Sequence, residues 1–229
     1  MKKSFIFIAA LLAAVNTLVA QDCKTYYYLH DKAEVEMSVY DSKSTVVAKN
    51  IYNVLDVKKD GNGLTSDFTS TVKDASGKEI SSGKGKFKCD GANLLVDMQM
   101  NMPNIPQLQN MKMENTSGSS FLTYPSSLAV GQTLPEGSFE VNGENNMGLQ
   151  YKVANRKVAA KEKVTTAAGT WDCFKITYDM NIAVKMMGMS MPFNLTGVEW
   201  FAPGFGLVKM ETAKDGSLLG SMAITAYKK

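Results

Sequence analysis

Histidine is almost missing: the 229 residues hold one, His30. Nucleophilic catalysis by a serine, threonine or cysteine needs a base within reach. A zinc site needs histidines and cysteines at short, regular spacings. One histidine and three scattered cysteines, Cys23, Cys89 and Cys173, supply neither, so no metal and no cofactor is expected. No glycine loop opening a helix is present to cradle phosphate, because Gly83-Lys84-Gly85-Lys86 has neither the spacing nor the helix. Glu34 and Glu36 share a strand face, but no apolar pocket surrounds them to raise a carboxyl pKa, and they read as solvated. The chain is therefore expected not to be an enzyme.

Two further scarcities bound the partners. Long apolar runs are confined to Phe5 to Val15, and no later stretch approaches the roughly 20 apolar residues that a spanning helix needs. With Lys2 and Lys3 ahead of it and Ala20 behind it, that run has the anatomy of a secretory signal peptide over residues 1–20, leaving 21–229 as a single β-rich domain. An acid, Asp22, directly precedes Cys23 and does not suit lipoprotein processing. Without Lys2 and Lys3, 23 basic residues face 22 acidic ones. That balance gives no basic patch for nucleic acid. The expected location is the periplasm or the exterior, where disulfides persist. An odd cysteine count leaves one thiol over. Cys23, on an N-terminal tail able to adapt its position, is expected to be one partner, with Cys89 preferred as the other and Cys173 close behind.

What the chain does contain is alternation. Val35, Met37 and Val39 alternate with Glu34, Glu36 and Ser38, which is the period of a half-buried strand. Thr45 to Val57 is apolar on both parities and reads as central or bulged; turns follow at Asp60-Gly61-Asn62-Gly63 and Asp74-Ala75-Ser76-Gly77. Leu94, Val96, Met98, Met100 and Met102 occupy one face of another strand, and Asn115 to Gly137 reads as an extended connector. From Phe174 to Met186 every even position is apolar; from Met187 the odd positions are, which requires a turn or bulge near Gly188, with a hairpin favoured. The expected fold is all-β: an antiparallel meander forming a curved sheet, half-barrel or barrel of about ten to twelve strands.

Methionine is the anomaly in composition, with 15 residues and clusters at Met98–Met102 and Met186–Met191. Thioethers suit Cu(I), so a Met-rich copper binder is one reading. The same residues fall on apolar strand parities, which favours core or cavity lining for an adaptable apolar ligand. A ligand is expected against Met98, Met100, Met189, Met191, Trp200 and Phe205.

The stretch Trp200-Phe201-Ala202-Pro203-Gly204-Phe205-Gly206-Leu207-Val208-Lys209 breaks and restarts a strand, since Pro203 fixes φ and the glycines admit angles other residues avoid. Together with Ala168-Gly169-Thr170-Trp171-Asp172-Cys173-Phe174-Lys175-Ile176, it resembles a family of exported bacterial proteins known as a domain of unknown function. The resemblance implies a periplasmic or secreted domain with a curved sheet like that of lipoprotein carriers or lipocalins. It implies no activity, and its motifs look structural, so no functional residue is carried over. The expected role is a non-enzymatic binding module for a hydrophobic small molecule, a lipid or a lipid-bearing envelope protein; the alternative is an envelope scaffold with a filled core. A transmembrane barrel is disfavoured by the many lysines on polar strand faces and by the ending Tyr227-Lys228-Lys229.

Overall fold

A computed structural model describes residues 23–101, 116–142, 147–186 and 189–229. The signal segment 1–20, Met102 of the expected methionine-bearing strand and the turn expected near Gly188 lie outside the described residues. Thirteen strands are present among the rest: β1 (Glu34–Asp41), β2 (Val46–Asp60), β3 (Gly63–Asp74), β4 (Glu79–Cys89), β5 (Asn93–Asp97), β6 (Thr116–Ser119), β7 (Phe121–Pro125), β8 (Gly137–Asn142), β9 (Gly148–Thr166), β10 (Gly169–Met186), β11 (Met189–Ala202), β12 (Gly206–Lys214) and β13 (Ser217–Lys228). All pair antiparallel in one sheet, in the order β6-β8-β9-β10-β11-β12-β13-β1-β2-β3-β4-β5-β7.

The two edges of that order, β6 and β7, are consecutive in the chain and separated only by Ser120. One flank of this segment pairs with β8 through Thr116↔Val141 to Ser119↔Ser138, and the other pairs with β5 through Asn93↔Pro125 to Asp97↔Phe121. The segment thus acts as one strand that changes partner at Ser120, and the meander returns on itself as a nearly closed twelve-stranded barrel wall. The stretch read from sequence as a connector, Asn115 to Gly137, therefore contains the closing strand. Its short ladders, four and five residues long, left no alternation for a sequence pattern to catch.

Strict up-and-down order puts the connections alternately at two ends. The β2–β3, β4–β5, β9–β10 and β11–β12 connections share one end, here the plug end. The β1–β2, β3–β4, β10–β11 and β12–β13 connections share the other, the far end. The expected inner stripe of β10 is present: Ile176, Tyr178, Met180, Ile182 and Val184 are buried, with Phe174 and Met186 half-buried at the limits. Lys175, Asp179 and Lys185 fall on the opposite face. Cys173 departs from this parity and is buried, just before the point where the β9–β10 register shifts between Lys175 and Ile176.

Eight strands give a barrel that its own side chains just fill; twelve leave a space the wall cannot fill alone. The N-terminal segment occupies it. Two 3-10 turns, Cys23–Thr25 and Tyr27–Leu29, bring Tyr26, Tyr27, Tyr28 and Leu29 inside, where none exceeds 3% exposure. This corrects the expectation of a tail and gives the three tyrosines their physical role. A second correction concerns Met98 and Met100, which lie not in a strand but in a 3-10 turn, Met98–Asn101. Strand β5 ends at Asp97, and the turn drops both methionines into the core.

Candidate functional site

The plug is fixed from several sides. Cys23 and Cys89 form a disulfide, with Cα atoms 5.7 Å apart, tying the segment to the end of β4. Cys173 is left free; burial first, then the charges of Asp172 and Glu162, push its thiol up to about 12, so it stays a neutral, unreactive group. The Tyr27 N–H donates to the Phe205 carbonyl at 3.1 Å, and its hydroxyl donates to the Leu207 carbonyl. The Ser66 hydroxyl donates to the Tyr28 carbonyl at 2.6 Å, while the Tyr28 ring packs 4.4 Å from Phe87. His30 is held between the Tyr227 hydroxyl and the Lys24 carbonyl. Opposite this cluster lies the glycine-proline corner. Gly206 has φ +130°, and a Cβ there would stand 2.7 Å from the rings of both Tyr27 and Tyr28. The corner sequence therefore makes room for the plug, and Phe205 caps it with edge contacts to Tyr27 and Tyr227 at 5.2 and 5.8 Å and a tilted contact to Trp171 at 4.9 Å.

Beneath the plug is a buried charge cluster that the strand pattern concealed. Arg156 of β9 is fully buried, and Glu199 of β11 is 1% exposed. The guanidinium reaches Glu199 at 3.4 Å through Nη2, and its Nη1 donates to the carbonyls of Thr123 and Pro135 at 2.9 Å each. The Tyr124 hydroxyl sits 3.0 and 2.9 Å from the two Glu199 oxygens, and its ring lies between Phe201, stacked at 4.4 Å, and the guanidinium at 4.7 Å. Burial holds the Glu199 carboxyl above its ordinary range, against the pull of Arg156 and Tyr124. The cluster ties the closing strand β7 to β9 and β11. Asn155, at φ +53°, sits where the β9–β10 register shifts, and this bulge aims the next residue inward. A simple signal was available: Arg156 is the one arginine among 25 basic residues, and arginine suits planar, buried ion pairing better than lysine.

The six residues expected to line one ligand site occupy separate places. Met98 (0% exposed) and Met100 (5%) are core residues; the Met98 sulfur packs over Gly137, where a Cβ would approach it to 2.7 Å. Trp200 has the parity opposite to that of Glu199 and Phe201 and is buried all the same, at 6% exposure. Its Nε1–H donates to Glu162, and Lys175 and Lys209, its cross-strand neighbours, place their ammonium groups 5.3 and 4.6 Å from its ring centroid. Phe205 caps the plug from the corner. Met189 and Met191 are at the far end of β11, eleven and nine residues from Trp200, so the methionines and the tryptophan are separated by roughly 30–36 Å of strand.

The far end differs from the packed interior. Along β11, Met189, Met191 and Phe193 are 68, 41 and 40% exposed. They pair in register with Met186, Val184 and Ile182 of β10, the latter two buried. The inner apolar stripe thus emerges into solvent here, because β12 begins to pair with β11 only at Thr196. Pro192 sits in the middle of that unpaired flank. Among the described residues no group of three His, Cys, Asp or Glu side chains is placed to hold a metal, and no helix is long and apolar enough to cross a membrane.

A family model described as DUF3108-like matches residues 32–224. Two solved structures have the same fold. A protein from Bacteroides fragilis, described as exported and having a YmcC-like fold, is 23% identical, with 87% of this chain and 97% of that one covered at a TM-score of 0.73. A protein from Parabacteroides distasonis, described as a lipoprotein, is also 23% identical, with 91% and 100% covered at a TM-score of 0.72. No curated protein matches the chain.

Proposed function

The chain belongs to the DUF3108-like family, and on that premise we propose that it is a non-enzymatic envelope module that holds an apolar chain, of a lipid or a lipid-bearing partner, at the far end of its barrel. One observation carries this reading: the inner stripe of the β10–β11 hairpin is buried along Met180, Ile182 and Val184 but emerges at Met189, Met191 and Phe193. Thioethers on an exposed concave face adapt to varied apolar shapes at little cost. Pro192 offers no N–H to an added strand, so the hairpin flank favours recognition by side chains over pairing with a peptide backbone. The upper interior is occupied by the tyrosine plug and the Arg156–Glu199 cluster, which favours the barrel end over a deep lumen. The proteins of the same fold that are described as exported and as a lipoprotein fit a periplasmic or secreted setting.

The filled interior also supports a second reading, an envelope scaffold that binds no small molecule. Titration with a fluorescent fatty acid separates the two. Saturable binding weakened at least about tenfold, or ~1.4 kcal/mol, by combined Met189→Ser, Met191→Ser and Phe193→Ser, and left unchanged by Trp200→Phe, supports the binding module. Absence of saturable binding, or equal loss with Trp200→Phe, puts the scaffold reading in front.

A further inference from the structure

The methionines divide sharply by exposure. Among the described residues, Met37, Met98, Met100, Met180, Met210 and Met222 are buried, none above 9%, and Met147 and Met186 are half-buried. Met189 and Met191 stand apart at 68 and 41%. A thioether is oxidised where solvent reaches it, so the chain sets two open sulfurs against a protected set in its core.

That exposure is a consequence of register. The β11–β12 ladder begins only at Thr196, so the flank of β11 from Met189 to Leu195 carries no paired strand among the described residues. On the other flank Met189 pairs with Met186 and Met191 with Val184. Two residues apart in one strand, Met189 and Met191 share a face, and it is the face on which the apolar stripe emerges. Leucine would keep this face apolar at similar volume. What the thioethers add is a sulfur lone pair in contact with solvent.

We propose that Met189 and Met191 are oxidation sites through which a hydroperoxide shuts the far end to apolar chains. The sulfur lone pair attacks one peroxide oxygen, so that an S–O bond forms as the O–O bond breaks. Sulfur gives up two electrons, and the proton on the transferred oxygen passes to the departing hydroxide. A sulfoxide remains and, from hydrogen peroxide, water is released. A flexible apolar side chain has become a polar one. An acyl chain laid against it would leave the new oxygens without hydrogen-bond partners, whereas water satisfies them on the empty face. The fold is spared, because the core thioethers are shielded and the oxidised pair already faces solvent. This inference rests on the far end as the apolar-chain site and adds its regulation.

The test treats the native protein with dilute hydrogen peroxide, maps sulfoxides by peptide mass spectrometry and repeats the fluorescent fatty-acid titration. Sulfoxide should form at Met189 first and Met191 next, both ahead of Met98, Met180 and Met222, with the melting temperature unchanged. Fatty-acid binding should weaken at least about tenfold, the consequence of two sulfoxide oxygens left unpaired against the chain. Methionine sulfoxide reductases A and B together should restore it, since each reduces one epimer. Combined Met189→Leu and Met191→Leu has no oxidisable sulfur at either place, so its affinity, compared before and after the same treatment, should not move. Sulfoxides spread evenly over exposed and core methionines overturn the proposal, as does binding unchanged with both sites oxidised or an equal peroxide loss in the leucine variant. Native protein that binds no fatty acid before treatment would instead sink the binding-module reading and the switching with it, and the peptide map alone would then decide whether Met189 and Met191 are the oxidation sites.

Discussion

Replacing Cys23 with serine removes the Cys23–Cys89 bond, which spans 66 residues of sequence. On the chain-entropy account, closing a loop of that length denies the denatured ensemble roughly 4 kcal/mol of freedom. The folded state should lose little more, because the plug is seated by its own contacts: the buried rings of Tyr26, Tyr27 and Tyr28 and the bonds to Phe205, Leu207 and Ser66. For a chain of this size 1 kcal/mol moves the melting point by about 2–4 °C, so the expected drop is about 8–16 °C. Calorimetry of Cys23→Ser, Cys89→Ser and the double variant should give one value for all three, since each removes the same bond, and reductant should reproduce it in the native protein. Cys173 is free and buried and does not contribute. A drop under about 3 °C would refute the reasoning. It would mean that the segment is not held against β4 or that the unfolded chain is compact enough to gain nothing.

Other outcomes follow from the interior. Ile182→Asp buries a carboxylate without a partner and should cost several kcal/mol, whereas Lys185→Ala removes a half-exposed pair with Glu140 and should cost under about 1 kcal/mol; the reverse order in urea unfolding would invert the assigned faces. Arg156→Met alone should cost about 3–5 kcal/mol by stranding Glu199, and adding Glu199→Leu should recover much of it; a double variant less stable than the single would deny that the pair acts as a unit. Burial raises the Glu199 pKa above its ordinary 4.5, so the folded chain holds this proton more readily than the unfolded one, and the contribution of Glu199 to stability falls as pH rises from 4.5 toward the raised value. The stability of the native protein minus that of Glu199→Gln should therefore shrink over that window in pH-dependent denaturation; growth with pH would mean that Arg156 outweighs burial.

The all-β meander was legible because alternation is local: each of β1, β10 and β11 carries its own period in its own residues. The barrel's closure was not, since Thr116–Ser119 and Phe121–Pro125 owe their pairing to β8 and β5, and neither short run shows a period. The plug was hidden for a different reason. Tyr26, Tyr27 and Tyr28 become necessary only once twelve strands define a space too wide for the wall, which is a property of the whole ring. Arg156 escaped because the bulge at Asn155 changes the parity of β9, and a count of alternating residues passes over a bulge. The methionines were assigned to apolar faces, and Met98, Met100, Met189 and Met191 do share that character. Their separation into core and rim depends on where β12 stops pairing with β11, which no local pattern records.

Native mass spectrometry of the protein recovered from its own envelope tests the central claim most directly. The account predicts a bound apolar species, of a mass fitting a lipid or acyl chain, that is present on the native protein and on Trp200→Phe and is lost from the Met189→Ser, Met191→Ser, Phe193→Ser variant. Native protein that carries no such mass, or a mass kept in full by the triple variant, would contradict it.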